Sequence, residues 1–288
     1  MRLSSRTLLF CAELLAKTGF SGIRLAGNGL GTLLWHTLGS RRRLAIDNIT
    51  KHIACSSDTA TTLARNSFKH NARSFLECVL APDFGLQHPL LRVERPDLLA
   101  RIATEERPAV IVAAHLGAWE LLASLLGDIS STRPRLTVVR TYKNKALNDV
   151  STLLRSSRGA QVLGHREAAF SVLRALKKNG YAAFLVDHNT GHDEAVFLPF
   201  LGEEAAVNKG PALLAVRAKA QVWPIFLLRD GKRFVLRMED PLDTTLLTGD
   251  AEGKIHETTR FITAAIERAV RFAPEQWFWM HNRWKTKK

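Results

Sequence analysis

His115 and Glu120 stand five positions apart in Ala109-Val-Ile-Val-Ala-Ala-His115-Leu-Gly-Ala-Trp-Glu120, where an apolar, β-prone run gives way to what reads as a new helix. Imidazole is the side chain best matched to proton transfer near neutral pH, and a carboxylate beside it fixes its tautomer and stabilises the imidazolium. The pair therefore reads as a general base and its orienter, able to activate a hydroxyl with no metal and no cofactor. Spacing alone is a weak signal. With 10 histidines and 27 acidic residues, about one His-x4-Asp/Glu match is expected by chance. A second match does occur, His188 with Asp193. Context separates the two, because only His115 sits at a strand-to-helix junction, the edge where open α/β sheets place their chemistry. The competing reading is a core histidine satisfied near a helix start.

The remaining composition narrows the class. At 288 residues the chain has room for one large domain or two modest ones with a substantial core. A net charge of +14 calls for an anionic partner. Nucleic acid is disfavoured: the basic residues are scattered, and two tyrosines with no aromatic–glycine pattern do not build a base-stacking platform. Cys11, Cys55 and Cys78 form no CxxC pair, so they mark neither a zinc site nor a disulfide framework, and a reducing setting is favoured.

The first hundred residues read as helical. The apolar stretch from Thr7 is interrupted by Glu13 and Lys17, short of the ~7–15 residues of a secretory signal. The uncharged run from Leu25 to Ser40 is flanked by Arg24 and Arg41-Arg-Arg43 and broken by Gly27, Gly29 and Gly31. It falls short of the ~20 apolar residues of a spanning helix. Such a segment suits the bilayer interface, with Trp35 at headgroup depth and arginines on lipid phosphates, while a helical hairpin packed on the domain is the alternative. Residues 58–80 carry Phe68, Ala72, Phe75, Leu76, Val79 and Leu80 at helical spacing, a stripe that reads as core.

From about residue 108, apolar runs at Ala109–Ala114, Leu136–Thr141, Gln161–Leu163, Tyr181–Val186 and Gln221–Leu228 alternate with helical patterns at 118–127, 145–157, 167–179 and 209–219. That alternation predicts an α/β fold with a mostly parallel sheet flanked by helices. Arg229-Asp-Gly-Lys232 reads as a hairpin turn into Arg233–Met238, and Ile255, Ile262, Ile266 and Val270 mark a last amphipathic helix. The expected organisation is a helical, membrane-associating segment over 1–100 and an α/β domain over 101–288. No GxGxxG, GxxxxGK[ST] or GxSxG signature follows any predicted strand, so dinucleotide, nucleotide and serine-hydrolase readings drop out.

Five segments in order resemble the late acyltransferases of lipid A biosynthesis, the lauroyl and myristoyl transferases within the lysophospholipid acyltransferase-like group. They are Arg41-Arg-Arg-Leu-Ala-Ile-Asp-Asn-Ile49, His115-Leu-Gly-Ala-Trp-Glu120, Val139-Arg-Thr-Tyr-Lys-Asn144 with Arg155 and Arg158-Gly159, Val186-Asp-His-Asn189 with Val196-Phe-Leu-Pro-Phe-Leu-Gly202, and Trp277-Phe-Trp-Met-His-Asn-Arg-Trp-Lys285. The chain departs from the family pattern at His188 and Asn189, at Asn282, and at Asn208-Lys-Gly210.

The resemblance implies transfer of a fatty acyl group from acyl carrier protein or acyl-CoA to a hydroxyl of a lipid A precursor. A glycerophospholipid, glycolipid or aminolipid acceptor is the alternative. It implies His115 as general base with Glu120 orienting it, no cofactor, and a peripheral position on the cytoplasmic face of a bacterial inner membrane. Arg140, Arg155 and Arg158 are the candidates for phosphate contacts with an anionic lipid, since guanidinium forks bind phosphate in pairs of hydrogen bonds. Asp187 follows an apolar run and should lie near His115, where the resemblance gives it a site role such as orienting an arginine. A backbone N–H near Gly117 or a cationic side chain is expected to meet the oxyanion. Phe197, Phe200 and Trp223 are either acyl-channel or core residues.

Overall fold

The computed structural model describes residues 3–165 and 168–288. Helices α1 (Leu3–Ala16), α2 (Gly19–Thr37), α3 (Gly39–His52) and α4 (Ser57–Glu77) come first, followed by β1 (Leu91–Val93) and α5 (Pro96–Thr104). Next come β2 (Ala109–Ala113), α6 (Trp119–Ile129), β3 (Arg135–Val139), α7 (Lys145–Arg155), β4 (Gln161–Gly164), α8 (Ala168–Leu176) and β5 (Tyr181–Leu185). The chain continues through β6 (Ala195–Phe200), β7 (Glu203–Asn208), α9 (Gly210–Ala218), β8 (Gln221–Asp230), β9 (Arg233–Met238), β10 (Leu242–Asp243) and α10 (Ala251–Phe272). The expected helix start at residue 167 lies outside the described residues.

Five strands in the order β8-β2-β5-β3-β4 are parallel to one another, as the alternation of apolar runs and helices predicts. The hairpin through Gly231, whose φ of +60° suits a residue without a Cβ, adds β9 antiparallel to β8. Some elements escape the sequence pattern. Three-residue β1 pairs with the outer edge of β9, and β6–β7 form a separate antiparallel hairpin. A strand of three residues carries too little alternation to read.

β2 is central and every one of its residues is buried. Val110 and Val112 face one core with α8, α9 and α10, while Ala109, Ile111 and Ala113 face another with α6. This is the continuous apolar run expected of a parallel strand covered on both faces. The N-terminal helices share both cores. Ile23 packs with the α6 side, and Trp35, Ile49 and Phe68 pack with the α10 side.

α2 lies so close to α4 that a Cβ on Gly27 would come within 2.8 Å of the Arg73 Cα, and one on Gly31 within 2.5 Å of the Lys69 Cα. Ile23, Gly27, Gly31 and Trp35 thus form one buried ridge at four-residue spacing. The glycines that weaken the segment as a membrane span are what allow this contact. Trp35 is therefore not at the protein surface as expected: it is 8% exposed and meets Phe68 edge-on at 5.4 Å. Phe75, expected in the core stripe of α4, is instead exposed and meets Trp119 at 5.6 Å. No helix among the described residues is long and apolar enough to cross a membrane.

Candidate active site

His115 lies two residues past the end of β2, and Asp187 two residues past the end of β5. The strands are parallel neighbours with Ala113 opposite Leu185, so continuing the register brings His115 opposite Asp187. Where the ladder ends, the Asp187 side chain takes it over. Its Oδ2 accepts the His115 backbone N–H at 2.9 Å, and its Oδ1 meets His115 Nδ1 at 2.8 Å. The Trp277 indole N–H donates to Oδ2 at 2.8 Å. Asp187 is buried, while His115 keeps 17% of its side chain exposed. Burial alone would oppose ionisation of Asp187, but the His115 imidazole and the indole donor more than offset it and hold the carboxyl well below its usual range. The imidazole Nδ1 is thus held by a carboxylate, an arrangement that suits the other ring nitrogen to accepting a proton.

The loop that carries His115 is fixed on every side. The Phe278 N–H donates to the His115 carbonyl at 3.0 Å, the Gly117 N–H to the Gln276 carbonyl at 3.2 Å, and the Ala118 N–H to the Leu227 carbonyl at 2.7 Å. Gly117 sits at φ +67°, and a Cβ there would come within 2.1 Å of the Leu227 carbonyl oxygen. The Gly117 N–H is thus spent on Gln276, so this N–H is not the donor in the expectation of a backbone N–H near Gly117 or a cationic side chain at the oxyanion.

Glu120 does not reach His115 in this arrangement. Both its oxygens accept from Arg155, at 2.7 Å from Nε and 2.7 Å from Nη2, and the Tyr142 hydroxyl accepts from Arg155 Nη2 at 3.2 Å. The pair is buried, with side chains 5% and 9% exposed. Burial works against the Arg155 charge, but Glu120 outweighs it and holds the guanidinium protonated. Glu120 therefore ties the start of α6 to the end of α7, and the carboxylate that contacts the His115 ring is that of Asp187, not the expected Glu120.

The three arginines separate. Arg155 is committed to Glu120, and Arg158 to Asp128 through Nε at 3.0 Å and Nη2 at 2.6 Å. Both guanidinium forks expected at phosphates are thus filled by carboxylates. Arg140 is exposed and enters no ion pair among the described residues, and its charge is felt at His188. Phe200 and Trp223 are core residues at 2% and 0% exposure.

Three residues at the site carried little sequence signal. His188 packs edge-on against His115 with ring centres 4.1 Å apart, and His281 packs on His188 at 4.8 Å. Burial, then the neighbouring charge of His115, lowers the His188 pKa to about 4, so it is neutral near pH 7. His281 is likewise pushed down by burial, and its Nε2 accepts the Asn189 N–H at 3.0 Å. Trp277 enters the sequence reading only as the start of the last family-like segment. The aspartate that needs its indole is 90 residues away in sequence.

A narrow apolar cavity opens beside the Glu120–Arg155 pair, between α6 and the sheet, lined by Ile111, Ala113, Leu122, Leu126, Val138 and Phe184.

The chain is 29% identical over 189 residues to the lipid A biosynthesis lauroyltransferase of Escherichia coli (strain K12), covering 65% of this chain and 59% of that enzyme. It is 25% identical over 199 residues to the palmitoleoyltransferase of the same organism, covering 68% and 61%. The phosphatidylinositol mannoside acyltransferase of Mycolicibacterium smegmatis is 25% identical over 232 residues, covering 79% and 74%. The matched stretch thus spans about three fifths of the two Escherichia coli enzymes. The family model for bacterial lipid A biosynthesis acyltransferases matches residues 7–286, nearly the full length, and the chain belongs to that family.

Proposed function

We propose that this protein moves a fatty acyl group from a thioester carrier, acyl carrier protein or acyl-CoA, to a hydroxyl of a lipid A precursor. The observation that carries the reading is the His115–Asp187 pair at the carboxyl end of two central parallel strands. In this reaction His115 takes the proton of the acceptor hydroxyl as its oxygen attacks the thioester carbonyl. Asp187 holds the ring and stabilises the imidazolium, as the acid of a serine-hydrolase triad does. The tetrahedral intermediate then collapses, the C–S bond breaks, and His115 returns the proton to the departing thiolate. Atoms and charge balance without a further reactant.

Arg140 is the cation that best suits the oxyanion or an acceptor phosphate, because it is exposed and its charge is felt at His188. The apolar cavity behind α6 suits the first part of an acyl chain. Exposed Leu3, Phe10 and Leu14 on α1 and Leu25 and Leu33 on α2, with Arg6, Arg41 and Arg43 near them in sequence, support peripheral attachment to an anionic bilayer. Attachment at the cytoplasmic face of an inner membrane follows from the same reading.

The likeness to a mannoside acyltransferase over 79% of this chain supports a second acceptor class, a glycosylated phospholipid. Both are tested by assaying the full chain in detergent with acyl carrier protein and acyl-CoA donors. Acceptors are a tetra-acyl lipid A precursor and a mannosylated phosphatidylinositol, with His115→Ala beside the wild type. Transfer to the lipid A precursor that vanishes in the variant supports the first reading. Transfer confined to the mannosylated lipid replaces the acceptor and keeps the chemistry, and transfer that survives His115→Ala overturns it.

A further inference from the structure

His188 has no part in the chemistry above, yet its ring centre lies 4.1 Å from that of the base. Among the described residues, His115, Asp187 and His188 form a group in which one ligand atom from each lies within 4.8 Å of the others. Tetrahedral zinc with bond lengths of ~2.0–2.1 Å sets its ligands about 3.3 Å apart. A modest swing of one imidazole closes that gap. Two imidazoles and one carboxylate favour zinc, cobalt, nickel or copper over magnesium or calcium, which prefer all-oxygen sets. His281 is excluded as a ligand through Nε2, which accepts the Asn189 N–H at 3.0 Å, but its ring backs His188 and limits where that imidazole can turn.

We propose that His115, Asp187 and His188 form an inhibitory site for a divalent transition metal, zinc above all, which occupies the catalytic base and switches acyl transfer off. A metal on the outer nitrogen of His115 takes the lone pair that accepts the hydroxyl proton. A metal on Nδ1 displaces the Asp187 contact that orients the ring. Either way the base is lost while the metal is bound, and a chelator restores it. His115 keeps 17% of its side chain exposed, which gives exogenous metal a way in and out. The inhibition, though not the binding, rests on the acyltransferase reading. His188 is the residue on which binding and chemistry separate, since it ligates the metal but does not move the proton.

The test uses the full chain in detergent, stripped with a chelator, and reads binding and activity separately. Cobalt(II) is titrated first by its visible absorption, which needs no turnover. The wild type is expected to bind one equivalent, and His188→Gln to bind at least about tenfold more weakly. Zinc is then titrated into the acyl-transfer assay. Wild-type transfer is expected to fall and to recover on adding chelator, while His188→Gln, read against its own zinc-free rate, needs at least about tenfold more zinc for the same fractional inhibition. Absence of cobalt binding overturns the site, as does equal zinc sensitivity in the variant. Activation by zinc overturns the inhibitory role. A chain that binds cobalt through His188 but transfers no acyl group leaves the site standing and removes the acyltransferase reading instead.

Discussion

Asp187 grips His115 twice, with one oxygen at 2.8 Å from the ring Nδ1 and the other at 2.9 Å from the backbone N–H. One carboxylate therefore sets both where the residue sits and how its ring is turned. The arrangement follows from the parallel register of β2 and β5, which brings the two positions opposite each other just past the strand ends. The Trp277 indole supplies a third donor and ties the C-terminal segment to the same aspartate. A buried carboxylate with three donors is a rigid anchor, and the loop hydrogen bonds around residues 116–118 leave little freedom to His115.

If Glu120 is a structural partner of Arg155, its loss shows first in stability. Glu120→Gln leaves a buried guanidinium without its charge partner, which costs about 3–5 kcal/mol. Replacing both, Glu120→Leu with Arg155→Met, removes the unpaired charge and should recover most of that loss. Thermal or urea unfolding of the three proteins measures it. A Glu120→Gln protein as stable as wild type contradicts the role.

Two glycines should respond in opposite directions to the same added methyl. Gly117→Ala places a Cβ against the Leu227 carbonyl at a φ of +67°. The expected loss is at least about 1–3 kcal/mol, with a drop in transfer as the His115 loop shifts. Gly29→Ala, inside α2 with nothing within 4 Å of the new Cβ, should be neutral or gain about 0.5–1 kcal/mol. Unfolding curves of both variants decide it.

His70 makes stability depend on pH. It is half-buried beside Arg229, and desolvation followed by that positive charge lowers its pKa from 6.5 to about 2. Below pH 6.5 the unfolded chain binds a proton that the folded chain refuses, so stability rises with pH in this window. The contribution is complete above about pH 6.5 and is lost progressively as the pH falls toward 2, by at most ~1.4 kcal/mol per unit. His70→Gln should flatten that slope. An unchanged slope in the variant would mean that the imidazole protonates freely in the folded protein.

Arg140 should act on the anionic acceptor more than on the fold. With its guanidinium exposed and outside any ion pair among the described residues, Arg140→Ala is expected to leave the unfolding temperature within a degree or two. Its KM for a phosphorylated acceptor should rise, and the dependence of that KM on salt should weaken. A change in unfolding temperature with no change in KM would place the side chain in the scaffold.

The sheet was legible because its strands are short apolar runs separated by helical periodicity, and Ala109–Ala113 is buried on both faces as such a run demands. His115 was legible because the run stops at it. Its partner was harder to choose. Glu120 is near in sequence, but α6 starts at Trp119 and carries Glu120 toward α7, where Arg155 waits. Asp187 is 72 residues away; the apolar run before it places it near His115, but its pairing with the ring follows from strand order, which a single sequence leaves open. The same limit hid Trp277 and the carboxylate partners of Arg155 and Arg158. Trp35 misled for another reason: an aromatic between glycines reads as interfacial until the glycines are seen to admit a neighbouring helix.

The most direct measurement is a double-variant cycle on kcat with His115→Ala, Asp187→Asn and the two combined, each shown to be folded. If the two residues act as one base, Asp187→Asn alone should lower kcat by about 10²–10⁴-fold. The double variant should then fall no further than His115→Ala, because a unit already broken loses little more. A wild-type kcat in Asp187→Asn, or losses that multiply in the double variant, would contradict the pairing on which the mechanism stands.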